Sequence, residues 1–123
     1  MDWKLELMQV PVSDVDRAKT FYTEKAGFND DHDHRIGDDI RFVQLTPPGS
    51  ACSIAIGTGL SEMPPGSVKG LQLVVSDIEA AHGELVERGV EVSEVQEFAW
   101  GSFVFFSDPD GNGWAVQQIP ARD

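Results

Sequence analysis

The sequence predicts an α+β fold built from two βαβββ repeats, and three observations carry that expectation. The stretch Val12-Ser13-Asp14-Val15-Asp16-Arg17-Ala18 returns as Val75-Ser76-Asp77-Ile78-Glu79-Ala80-Ala81, 63 positions later. A helical pattern follows each copy and stops at a glycine, Gly27 or Gly89. Each half then runs through a strand-like segment into a tight turn, with 41–49 aligning on 102–110 at an offset of 61.

In chain order, the first strand ends at Val12, where Ser13 is expected to cap a helix and Asp16 to return the hydrogen bond from the third helical position. Val15, Ala18, Phe21 and Tyr22 lie at helical spacing and mark its buried face. A strand is expected over 27–34. The next, over 41–46, breaks at Pro47-Pro48-Gly49 and leads to another over 51–56. Residues 57–70 are rich in Gly, Ser and Pro and read as a linker between repeats. The second half repeats the order. A strand ends at Val75, and a helix capped by Ser76 and Glu79 carries Ile78, Ala81 and Leu85 inward. Strands are then expected over 89–97, with Val90, Val92 and Val95, over 102–107, and over 113–119 beyond the turn Asp108-Pro109-Asp110-Gly111. The division is repeat one at about 1–57, linker at about 58–69 and repeat two at about 70–119, all within one domain.

A chain of 123 residues with 41% hydrophobic composition suits a single core. Its formal net charge of -12 repels phosphate backbones and anionic lipid surfaces, so neither nucleic acid nor membrane is an expected partner. The N-terminus lacks the basic start and apolar run of a signal peptide. Cys52 is the only cysteine, excludes an internal disulfide and fits a reducing, cytoplasmic setting, where it reads as a small packing residue of a strand. No Gly-x-Ser-x-Gly elbow and no phosphate-cradling glycine loop occurs.

With βαβββ occurring twice, Val-Ser-Asp-Val-Asp-Arg-Ala-Lys at 12–19, Phe21-Tyr22, Gly27-Phe28 and Phe-Ser-Asp-Pro-Asp-Gly-Asn at 106–112, the chain resembles the vicinal oxygen chelate superfamily over nearly its whole length. That superfamily comprises glyoxalases, bleomycin-resistance proteins and extradiol dioxygenases. The resemblance implies a U-shaped, cupped, eight-stranded mixed sheet with helices outside and a homodimer whose modules complete the groove together. It does not by itself imply a reaction.

Members that carry out chelate chemistry place a His or Gln seven residues before the Asp of each capping segment and a carboxylate on the last strand of each repeat. The matching positions are Leu7, Gly70, Ala115 and, at about the corresponding place in repeat one, Ile54. None offers a metal donor, so this is a member lacking the usual ligands and no cofactor is expected there. The remaining metal candidates are His32 and His34, which alternation puts on one strand face with Asp31 and Asp33 on the other. Two imidazoles still need further ligands. Solvated or pH-responsive histidines are the plainer reading. His34 is also a candidate general base if it faces the cup.

By the same alternation Met8, Val10 and Val12 face the helices, leaving Gln9 toward the cup, while Leu71, Leu73 and Val75 leave Gln72 there. On the last strand Ala115 and Gln117 share the cup face, with Trp114 and Val116 behind. Three glutamines are therefore expected to converge on an apolar concavity. That composition suits an uncharged or weakly polar organic molecule. Trp100, before Gly101, is the candidate for stacking on a flat ligand; Phe103 and its repeat equivalent Phe42 lie nearby in the pattern; and Arg41 is a candidate partner for a ligand carboxylate or phosphate, against a surface salt bridge. The leading expectation is a metal-independent small-molecule-binding protein, similar to the drug-sequestering branch of the superfamily. The alternative is a glyoxalase-like lyase, isomerase or dioxygenase using His32 and His34 for an atypical metal or metal-free acid and base chemistry.

Overall fold

Both helices start on an aspartate. In the structure, a computed structural model that describes residues 1–120, the Asp14 side chain accepts from the Arg17 N–H and the Asp77 side chain from the Ala80 N–H, each at 3.1 Å. The caps thus sit one residue after the serines that the capping-box pattern named. Ser13 is occupied elsewhere, donating its N–H and hydroxyl to Asp110 across the chain, and Asp16 turns to Arg41 instead of back to the cap. The first helix, α1 (Val15–Thr20), runs into a single π-helical turn (Phe21–Lys25), which leaves the adjacent Phe21 and Tyr22 both buried. The second, α2 (Ile78–Glu87), is regular. Both helical segments end against a left-handed glycine, Gly27 at φ +81° and Gly89 at φ +83°.

Eight strands form two four-stranded sheets of the same order. Strands β1 (Leu7–Gln9), β2 (Asn29–Ile36), β3 (Ile40–Thr46) and β4 (Ser53–Thr58) lie β1-β4-β3-β2; β5 (Leu71–Val74), β6 (Gln96–Phe98), β7 (Gly101–Ser107) and β8 (Gly113–Gln118) lie β5-β8-β7-β6. In each sheet the first and last strands of the repeat pair in parallel and the other neighbours antiparallel. This is the βαβββ unit twice over, as the repeated segments predict.

Several strands differ from expectation: β1 stops at Gln9, short of Val12, β4 is shifted to Ser53–Thr58, and β2 and β6 change more. β2 begins two residues later and carries a bulge between Asp30 and His32. The bulge takes Asp31 to the Thr46 hydroxyl, which also lies 2.7 Å from the Ser53 hydroxyl. β6 is reduced to three residues where a longer strand was expected. The Phe105 N–H there is taken by the Ser93 hydroxyl at 2.9 Å, so 89–95 pack Val90, Val92 and Val95 on the core without forming a ladder. Cys52 precedes β4, half-buried, instead of lying within the strand.

One core serves both repeats. Val43, Leu45, Ile54 and Ile56 from the first sheet and Val104, Phe106, Trp114 and Val116 from the second belong to one buried cluster with Tyr22, Phe28 and Leu85. Tyr22 is the hinge of this packing, with ring centroids 5.4 Å from Phe28 and 5.8 Å from Trp114. Its hydroxyl donates to Asp108 Oδ2 at 2.7 Å and accepts from Trp114 Nε1 at 2.9 Å. Burial, then the Asp108 charge, holds the Tyr22 phenol well above the usual tyrosine range, so it remains a donor. Asp108 also accepts from the backbone N–H groups of Asp110 and Asn112 and from Asn112 Nδ2. Asn112 in turn bonds the Pro11 carbonyl and the Val68 N–H. The Asp-Pro-Asp-Gly-Asn segment is therefore a clasp joining repeat one, the connecting segment and repeat two.

Candidate functional site

Each sheet has a core face and an opposite face, and the register assigns every residue to one of them. Ile54 pairs with Leu45 and Met8, whereas Ala55 pairs with Gln44 and Gln9. In the second sheet Trp114 pairs with Phe106, and Ala115 with Phe105 and Gln72. The repeat-one counterpart of Ala115 is thus Ala55, and Ile54 belongs with Trp114 in the core. The sequence alignment was one residue out, enough to change faces. The consequence for metal binding is the same, because Leu7, Ala55, Gly70 and Ala115 all lack donors. Among the described residues no three His, Cys, Asp or Glu side chains gather into a group suited to a metal ion.

The non-core face of the second sheet carries Gln72, Val74, Gln96, Phe98, Phe103, Phe105, Ala115 and Gln117. None of these titrates. Gln72 Nε2 donates to Gln117 Oε1 at 2.6 Å, and Gln117 Nε2 donates to the Trp100 carbonyl at 2.9 Å. Beside this amide pair the aromatic rings form a shelf. Phe98 and Trp100 stack at 5.2 Å with planes 13° apart, Phe103 and Phe105 at 5.9 Å and 3°, and Phe98 meets Phe103 edge-on at 5.7 Å. Trp100 is 63% exposed while Phe103 beneath is buried, so the shelf has a fixed base and an open upper surface. Gln72 is exposed, and its carbonyl oxygen accepts from no donor among the described residues.

Gln9 is elsewhere. It lines a cavity of about 250 Å³ with Val10, Ala55, Gly57, Leu60 and Met63, walled by residues of the first repeat and the connecting segment. The expected convergence of Gln9 with Gln72 and Gln117 does not occur around that cavity, since each glutamine follows its own sheet. Met8, placed among the helix-facing residues by alternation, remains 44% exposed because β1 is a sheet edge.

Arg41 stands on the core side of β3, two residues from Val43, and is only 8% exposed. Its guanidinium holds Asp33 through Nε and Nη2, at 3.0 and 2.8 Å, and Asp16 through Nη1 at 2.8 Å. Lys19 also reaches Asp33, at 2.8 Å. Hydrogen bonds from Arg41, then Lys19, push the Asp33 carboxyl far below the usual carboxylate range; the Arg41 hydrogen bond likewise lowers Asp16, and Asp33 raises Arg41. This ion cluster ties α1 to the first sheet. Arg41 has its back to the face that carries Gln9 and forms the salt bridge that was set against a ligand contact, buried instead of at the surface.

His32 pairs with Gln44 and His34 with Phe42, so both imidazoles stand on the non-core face of the first sheet, ring centroids 5.6 Å apart. Asp33 is opposite, as alternation predicts, whereas the bulge brings Asp31 round to Thr46. The sequence patterns singled out neither Phe98 and Phe105 nor Gln44 as site residues. The available signal was the strand period counted from Phe103 and Phe42, which puts Phe105 and Gln44 at equivalent positions on the two outer faces.

Two four-stranded sheets of one order, joined through an Asp-Pro-Asp-Gly-Asn clasp and bearing apolar residues where a chelate would sit, define a chelate-type fold without the usual metal ligands. The chain belongs to the Glyoxalase/Bleomycin resistance protein/Dioxygenase superfamily, whose pattern matches residues 4–116. It is similar to TnmS3, an antibiotic binding protein from Streptomyces sp. CB03234, at 39% identity and a TM-score of 0.87 over 97% of this chain and 98% of that one. A glyoxalase/bleomycin resistance protein from the same Streptomyces is 40% identical with a TM-score of 0.81, covering 94% of this chain and all of the other. The uncharacterised protein YetH of Bacillus subtilis (strain 168) is 30% identical over 117 residues, 89% of this chain and 92% of YetH. Among the described residues no helix is long and apolar enough to cross a membrane.

Proposed function

We propose that this protein sequesters a small, flat, weakly polar organic molecule, without a metal and without chemical change, in the manner of bleomycin-resistance-type binding proteins. The observation that carries this reading is the aromatic shelf of Phe98, Trp100, Phe103 and Phe105 beside the Gln72–Gln117 amide pair. The floor that the second sheet supplies, apolar with a few oriented amides, offers stacking and hydrogen bonds but no acid, base or nucleophile of its own. The antibiotic-binding description of the similar TnmS3 favours the same reading. The protein acts in the cytoplasm as a homodimer, in which the non-core face of a second copy's first sheet supplies the other wall of the groove. Exposed Val74, Phe98, Trp100 and Phe105 on the outer surface of the second repeat favour such a cover.

The test is a titration of untagged protein with planar aromatic antibiotics, followed by tryptophan quenching, with light scattering to read the assembly and mass spectrometry of the recovered ligand. Saturable binding by a dimer, weakened about tenfold in Trp100→Ala and returning the ligand at unchanged mass, is the expected result. Stoichiometric zinc, nickel, manganese or iron in the purified protein defeats the metal-free reading. A converted product defeats the sequestering one. It would direct attention to His34, which faces the same side of the first sheet as Gln44 and Ala55.

A further inference from the structure

A second cavity lies between the repeats, on the core side of the second sheet, whose opposite face carries the amide pair. It measures about 250 Å³, and its apolar lining includes Phe28, Pro48, Leu73, Leu85, Phe106 and Val116. Leu85, Phe28 and Phe106 are core residues, while Leu73 and Ala81 are only partly buried and leave room between α2, the start of β2 and the β3–β4 turn. An apolar cavity of about 150 Å³ already accepts a benzene-sized guest. This one has space for a ring with a short chain, or for a medium-length alkyl chain.

The rim carries one cation and one carboxylate, Arg88 and Glu84. Arg88, at the C-cap of α2, lines the cavity with its side chain 40% exposed, and its guanidinium lies over Gly27, where an added Cβ would meet Nη1 at 2.8 Å. Its nearest carboxylate is Glu84 at 3.9 Å, too far for a hydrogen bond. By contrast, Arg17, Lys19 and Arg41 are each hydrogen-bonded to an aspartate. Arg88 therefore presents its donors at the mouth of an apolar cavity in a chain otherwise dominated by carboxylates.

The geometry points to a second ligand site, independent of the aromatic shelf, that takes a small amphipathic monocarboxylate: an apolar tail between Phe28, Leu85 and Phe106, and a carboxylate on the Arg88 guanidinium. A planar guanidinium pairs a carboxylate in bidentate fashion, and a charge-assisted pair at a partly desolvated rim is stronger than one in open water. Glu84 acts against the anion. Its removal strengthens binding of a carboxylate and weakens binding of an amine, so that one substitution separates the two signs of ligand.

The experiment is an amide-resolved NMR titration of the full chain with octanoate, repeated with octanol and octylamine. Octanoate is expected to bind saturably, with the largest shifts at Gly27, Ala81 and Arg88. Arg88→Gln, at an exposed position that leaves the fold intact, weakens it about tenfold while octanol is unaffected. Glu84→Gln tightens octanoate about threefold. Ala81→Phe fills the cavity and abolishes binding, and Trp100→Ala leaves it unchanged. The proposal is overturned by absence of saturable binding, by shifts centred on Trp100 and Phe103, by octylamine preferred over octanoate, or by an Arg88→Gln variant that binds octanoate as well as the parent does.

Discussion

The two repeats share a topology and hold it together by opposite means. In repeat one, α1 is tied to its sheet by charge: Arg41 from β3 grips Asp16 on the helix and Asp33 on β2, with Lys19 as a second cation. In repeat two the position equivalent to Arg41 is Ser102, and no ion pair joins α2 to its sheet among the described residues; Leu85, Val104 and Phe106 pack there instead. The outer faces diverge in the same sense. Repeat one shows His32, His34, Gln44 and the hydroxyls of Thr46 and Ser53, whereas repeat two shows Phe98, Phe103 and Phe105 around two amides. A βαβββ unit thus needs only its caps, its stops and a core-facing stripe. The remaining positions are available for different chemistry, and repeat two spends its share on aromatic surface.

The comparison is broken most severely at the clasp, because both repeats lean on it. Asp108→Ala leaves the Tyr22 hydroxyl, Asn112 Nδ2 and two backbone N–H groups short of an acceptor, and is expected to lower stability by about 4 kcal/mol in urea unfolding. If Asp108→Ala costs under about 1 kcal/mol, the repeats are not coupled through this segment. Trp114→Ala, which empties the shared core behind the amide face, is expected to cost about 3–5 kcal/mol.

Smaller effects separate the repeats. Arg41→Ala should lower stability by about 1–2 kcal/mol and leave ligand binding at the shelf unchanged, because its partners are two aspartates on the core side of the first sheet. Trp100→Ala should do the reverse, weakening a flat ligand about tenfold with a stability change within about 0.5 kcal/mol, checked by calorimetric titration and thermal unfolding. The pH response belongs to repeat one. Asp33 has a carboxyl held below its ordinary value of 3.8, so its contribution is complete above that pH and is lost as the pH falls below it toward the depressed folded value. Acid unfolding of the parent should therefore be steeper below about pH 4 than that of Asp33→Asn. The smallest expected change is at His32→Asn, on an exposed strand, within about 0.5 kcal/mol.

What the sequence determined by itself was the order of elements and the identity of the buried stripe. The segments at 12–18 and 75–81, Gly27 and Gly89, and the turns at 47–49 and 108–111 act over a few residues, through caps, positive φ and fixed proline geometry, and such signals can be read without knowing the fold. It also sufficed to show that Leu7, Gly70 and Ala115 are not metal donors. Tertiary structure decided the rest. Ala55 and not Ile54 faces outward because strand pairing sets register, which no single strand encodes. Arg41 serves α1 and not a ligand because Asp16 and Asp33 reach it only after the helix lies on the sheet. Within one chain Gln9 lines a cavity apart from Gln72 and Gln117, and Asp108 becomes a clasp only when Tyr22, 86 positions earlier, arrives beside it. These outcomes depend on contacts between distant parts of the chain, where local periodicity carries no information.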